Sequence, residues 1–112
     1  MVRLAVALRG SARHAQELVE TFRFLIVSTR LEPGCLGCSA WADPDSTVHY
    51  VEEWTTEPEM RRRVQSPSFT SLLAVLESAR EPPRIQFQFV TTTRGLDYVE
   101  EVRRDPRADG ER

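Results

Sequence analysis

The chain has 112 residues with a formal net charge of −2, from 15 basic and 17 acidic residues, which fits one domain with a single core. Every basic residue other than the two histidines is Arg, and none forms a basic block interleaved with stacking aromatics, so nucleic-acid binding is not expected. No window holds about 18 uninterrupted apolar residues, which excludes a spanning helix.

Val2, Leu4, Val6 and Leu8 alternate with Arg3, Ala5, Ala7 and Arg9, the period of a strand with one apolar face. The stretch MVRLAVALRGSAR has a superficial likeness to a signal peptide, but its short alternating run suits a first strand. The reading is therefore a cytoplasmic protein with two reduced thiols. Ser11 is a good N-cap, and Ala15, Leu18, Val19, Phe22, Leu25, Ile26 and Thr29 follow at helical spacing to about Arg30. Pro33 and Gly34 stop that helix.

Residues 35–42 and 47–54 flank the turn Asp43-Pro44-Asp45-Ser46 and predict a β-hairpin. Thr56 and Glu59 have capping-box spacing for a short helix to about Val64. Ser66-Pro67 opens a second helical stripe of Phe69, Leu72, Leu73, Leu76 and Ala79. Ile85, Phe87 and Phe89 alternate with Gln86, Gln88 and Val90 in a last strand. The order β-α-β-β-α-β predicts an α+β, ferredoxin-like domain over residues 1–94 with a four-stranded antiparallel sheet. Residues 95–112 read as an extension. Leu96, Val99 and Val102 recur every third residue, giving a docking helix or an added strand, and DPRADGER is expected to be disordered.

Cys35 and Cys38 have the spacing of a redox motif or half a zinc site, but they are the only cysteines and no histidine cluster accompanies them. On a regular strand, residues three apart point to opposite faces, so the pair is expected to share neither a metal nor a disulfide. Chemistry is expected instead on strand 47–54. Val48, Tyr50, Glu52 and Trp54 share one face, and His49, Val51 and Glu53 share the other. A carboxylate, a phenol and an indole beneath amphipathic helices suit the lining of a pocket. The plain alternative is that Tyr50 and Trp54 are core residues and Glu52 sits at a solvated edge. His14 is expected to be exposed in a first helical turn. No Gly-rich phosphate loop, Ser-His-Asp set or paired-Asp metal motif is present.

Pro33-Gly34-Cys35, the strand end Glu53-Trp54, the short segment 56–64 and Ser66-Pro67-Ser68-Phe69 together resemble the antibiotic biosynthesis monooxygenase domain family, over about residues 2–92. The resemblance implies a ferredoxin-like fold paired sheet to sheet as a dimeric α/β barrel. It also implies kinship with cofactor-independent oxygenases of quinols and polycyclic phenols, with heme-degrading enzymes, and with members of no established activity. Trp54 matches the family's strand-end tryptophan. The histidine found in many members before the Ser-Pro-x-Phe element is absent from RRRVQSPSF, which removes the usual heme ligand.

The expected function is thus a cofactor-independent monooxygenase acting on an electron-rich aromatic. Glu52 is the candidate base and Tyr50 the candidate donor to a developing oxyanion. Trp54, Phe69, Leu72 and Leu76 would contact the substrate, with no metal and no cofactor. The alternative is a non-catalytic dimeric barrel that binds a small apolar molecule or serves only as a stable dimer. Both readings expect a homodimer, because Ala5, Ala7, Val51 and Val90 make the second sheet face partly apolar.

Overall fold

In the computed structural model, residues 1–106 are described. The elements run β1 (Val2–Arg9), α1 (Ala12–Arg30), β2 (Cys35–Ala42), β3 (Thr47–Trp54), α2 (Glu57–Gln65), α3 (Phe69–Glu77), β4 (Arg84–Phe89) and α4 (Leu96–Arg104). The sheet is antiparallel in the order β2-β3-β1-β4. The expected ferredoxin-like arrangement is present, with its second helix split into α2 and α3. No helix among the described residues is long and apolar enough to cross a membrane.

Side-chain periodicity decides which face is covered. Val2, Leu4, Val6 and Leu8 of β1 are buried in one core with Ala15, Leu18, Phe22 and Ile26 of α1. Helix α1 starts where Ser11 Oγ accepts from the His14 N–H at 3.2 Å. The chain turns out of it at Gly34, whose φ of +88° disfavours any side chain. In the hairpin turn the Asp43 carboxylate accepts from the Asp45 and Thr47 amides at 2.9 and 3.1 Å. This local bonding holds Ser46 at φ +65°.

The expectation that the two cysteines point to opposite faces is overturned by a bulge. Cys35 lies opposite Trp54 and Cys38 opposite Glu52, with an irregularity between Cys35 and Gly37 that leaves Leu36 exposed. One extra residue restores the parity that a spacing of three would break, so both cysteines lie on the helix-covered side. Both are free thiols, Cys38 buried and Cys35 half-buried. Among the described residues no group of three or more His, Cys, Asp and Glu side chains is placed to hold a metal.

Strand β4 is less covered than its alternation suggests. Ile85, Phe87 and Phe89 pair with Val6, Leu4 and Val2 and so face the helix side. They nevertheless remain 45%, 42% and 59% exposed. The other face carries Arg3, Ala5, Ala7, Val51, Gln86 and Gln88, with Arg3 bridging to Glu53 at 3.0 Å. Helix α4 answers the question of helix or strand for 95–106. It buries none of its residues. Part of the tail expected to be disordered, residues 107–112, lies outside the described residues.

Candidate active site beneath the helices

Regular alternation along β3 delivers Val48, Tyr50, Glu52 and Trp54 to the covered face, all fully or almost fully buried. The edge position considered for Glu52 is therefore excluded, since this carboxylate has no exposed surface. Its oxygens are fully engaged. Oε1 accepts from Trp54 Nε1 at 3.0 Å and Arg63 Nε at 3.2 Å. Oε2 accepts from the Tyr50 hydroxyl at 2.5 Å and Arg63 Nη2 at 2.9 Å. The Cys38 thiol donates in turn to the Tyr50 oxygen at 3.3 Å.

Arg63 was not among the residues anticipated from sequence, and it organises the site. Thr56 caps α2 by accepting from the Glu59 N–H at 3.4 Å. The Glu59 carboxylate pairs with Arg62. Met60 and Arg63, three residues apart, are the buried positions of α2. Beyond Glu52, the guanidinium donates to Thr29 Oγ1 at 3.2 Å and Ser68 Oγ at 2.9 Å. It also lies 5.3 Å from the centroid of the Phe69 ring, a cation–π contact. Ser68 and Phe69 of the Ser-Pro-Ser-Phe element thus hold the guanidinium in place. A lone carboxylate on a covered strand face demands a cation, and an arginine one turn from Met60 was the available clue.

Electrostatics follow from this packing. Burial, then the Glu52 charge, push the Tyr50 phenol far above its ordinary value. Burial raises the Cys38 thiol to about 12, against the lowering effect of its bond to Tyr50. Burial pulls Arg63 down, but its hydrogen bonds and charge pairing with Glu52 outweigh that, and it is held above the ordinary value.

These shifts set an alkaline limit on stability. In the unfolded chain Cys38 and Tyr50 ionise near 9.0 and 10.0, whereas the folded chain keeps both protons. The unfolded state then binds fewer protons, so stability is full below pH 9 and falls as pH rises toward 12. The slope is about 1.4 kcal/mol per pH unit for each group. Urea midpoints measured from pH 8 to 11 should drop steadily above pH 9. Midpoints that stay level would contradict the buried thiol–phenol pair.

Of the other anticipated residues, Phe69 reaches the site through Arg63, while Leu72 and Leu76 belong to the same apolar core without a polar role. Phe22 packs on Tyr50 with ring centroids 4.8 Å apart. His49 is on the opposite face, bonded to Asp43 at 2.9 Å and stacked on Trp41 at 5.2 Å. The His49 bond lowers the Asp43 carboxyl. His14 is half-buried rather than exposed. A hollow of about 470 Å³ between α1 and the end of β2 is lined by Ala15, Val19, Ala40 and Trp41. Another of about 260 Å³ between α2 and β4 is lined by Met60, Val64, Phe87 and Phe89. Tyr50, Glu52 and Trp54 line neither.

Residues 1–75 match the family model for antibiotic biosynthesis monooxygenase, and the chain belongs to that family. Among solved structures it is similar to a protein of Deinococcus radiodurans described as a candidate antibiotic biosynthesis monooxygenase. That likeness has 22% identity and a TM-score of 0.73 and covers 85% of this chain and 97% of the other. A conserved protein of Methanosarcina mazei is 19% identical with a TM-score of 0.67, covering 78% and 89% of the two chains. A Pseudomonas aeruginosa protein is 22% identical with a TM-score of 0.65, covering 81% and 94%. At these identities the structures establish the shared fold alone. No curated protein matches the sequence significantly.

Proposed function

We propose that the chain is a cofactor-independent monooxygenase acting on an electron-rich aromatic substrate, a quinol or polycyclic phenol, between the sheet and the helices. The observation that carries the reading is the buried Tyr50–Glu52–Trp54–Arg63 cluster. An ion pair inside an apolar core is costly to desolvate and is weak evidence for stability alone, whereas such clusters concentrate at functional sites.

The proposed chemistry keeps charge balanced. An activated C–H or O–H gives its proton to Glu52, the negative charge passes to the substrate, and Arg63 remains as counter-ion. The substrate anion then reduces O2. For a methylene oxidised to a carbonyl, one oxygen atom enters the carbon and the other leaves as water with the two displaced hydrogens. No external reductant is consumed. Tyr50 donates to the developing oxyanion and Trp54 stacks on the ring. Phe69, Leu72 and Leu76 supply the apolar wall. Entry requires α2 and α3 to move off β3, because Glu52 is closed to solvent.

Glu52→Gln tests the assignment, since it keeps the shape and removes the base. An oxygenase that uses Glu52 loses turnover at least a hundredfold and still binds an anthrone or hydroquinone in a thermal-shift assay. Turnover within severalfold of the parent would refute the role of Glu52. The full engagement of both Glu52 oxygens favours a second reading, a non-catalytic ligand-binding barrel. That reading predicts ligand-induced stabilisation without oxygen uptake in the parent.

The assembly we propose is a homodimer through the uncovered sheet face, where Ala5, Ala7 and Val51 lie between Arg3, Gln86 and Gln88. Light scattering at micromolar concentration should give twice the chain mass. A single-chain mass would count against the pairing.

A further inference from the structure

The sheet face without helices ends in a polar hollow of about 420 Å³, whose lining includes Ala7, Arg9, Thr47, His49, Glu81 and Arg84. The strand register explains how it forms. Arg84 and His49 stand opposite Ala7 on either side of β1, so a methyl group separates a guanidinium from an imidazole in one row across the sheet. Arg9 and Thr47 pair at the end of the same strands. Residues two apart on a strand share a face, which brings Arg9 to the side of Ala7, diagonal to Arg84 at a backbone separation of about 7–8 Å. Ala7 leaves the room, and the long side chains around it supply the charge.

Neither guanidinium has a protein partner. Among the described residues the side chains of Arg9 and Arg84 make no ion pair and no hydrogen bond, and the Thr47 hydroxyl makes none either. Glu81 lines the same hollow without bonding to either arginine. Two arginines against one glutamate leave the hollow positive. His49 is fixed in its wall, with Nε2 bonded to Asp43 at 2.9 Å and the ring stacked on Trp41. Like charges at neighbouring positions on one face repel, and a bound anion removes that cost. We infer that the hollow binds a small molecule through a phosphate group. A planar carboxylate is satisfied by one guanidinium fork, whereas a phosphate dianion matches two positive charges and has oxygens enough for both forks and a hydroxyl. The site lies on the opposite face of the sheet from Glu52, so the inference goes beyond the oxygenase reading and does not depend on it.

Calorimetric titration of the full chain with inorganic phosphate, in a buffer free of other oxyanions and at fixed ionic strength, tests the assignment. One phosphate per chain, saturating by about 10 mM, is the expected result. Arg9→Gln and Arg84→Gln should each weaken binding about tenfold, since each deletes a charge-assisted fork. Both positions are exposed, and without phosphate the urea midpoints of these variants should equal or exceed the parent's, because one of two like charges is gone. Arg61→Gln removes an equally unpaired arginine from α2 and should leave the affinity unchanged. Absence of saturable heat, an equal loss in all three variants, or binding that survives both Arg9→Gln and Arg84→Gln would overturn the site. Succinate bound as tightly as phosphate would overturn the choice of a phosphate group.

Discussion

Arg63→Met should lower the free energy of unfolding by about 3–5 kcal/mol, because it leaves a buried carboxylate without its cation. In the parent, two of the four donors to Glu52 belong to that guanidinium, and no solvent reaches the site to replace them. The double variant Arg63→Met, Glu52→Gln removes both charges and should recover more than half of the loss. The recovery distinguishes an unpaired charge from lost packing, since methionine retains much of the side-chain volume in both variants. Urea denaturation of the four proteins completes the cycle. A single-variant loss below about 1 kcal/mol would mean that Glu52 and Arg63 are not a closed pair.

Trp54→Ala should be similarly severe, costing about 3–5 kcal/mol as a large cavity opens beneath α2. Trp41→Ala removes the same ring from a site that is 46% exposed on the other face, where it stacks on His49. It should cost about 1 kcal/mol. Trp54→Phe separates packing from the polar contact by retaining most of the ring and deleting the N–H that donates to Glu52. Provided the variants are compared under folding conditions, affinity for a planar aromatic should fall severalfold at position 54 and little at position 41. Equal losses at the two tryptophans would move the binding site away from β3.

Much of this arrangement is legible in the sequence because it rests on period and punctuation. The alternation of Val2 to Leu8 and of Val48 to Trp54 fixes which side chains enter the core, and Ser11, Gly34 and Thr56 mark helix boundaries through local bonding. Tyr50, Glu52 and Trp54 come together for the same reason. Two features depend on information that period does not contain. The bulge after Cys35 adds a residue to one strand, and that single insertion reverses the facing argument for the cysteines. Arg63 lies eleven residues from Glu52 in a run of three arginines. Helical spacing from Met60 selects it only once the helix is known to lie over β3. The exposure of Ile85, Phe87 and Phe89 was hidden too, since alternation tells which way a side chain points but not whether a helix lies above it.

Product formation under ¹⁸O2 addresses the proposed function most directly. The purified chain is incubated with anthrone, and the quinone is analysed by mass spectrometry against an enzyme-free control. Enzyme-dependent product carrying one ¹⁸O atom at the oxidised carbon is the expected result, with the rate lost in Glu52→Gln. Product formed no faster than in the control, while anthrone still stabilises the protein against heat, would contradict an oxygenase and leave a binding domain.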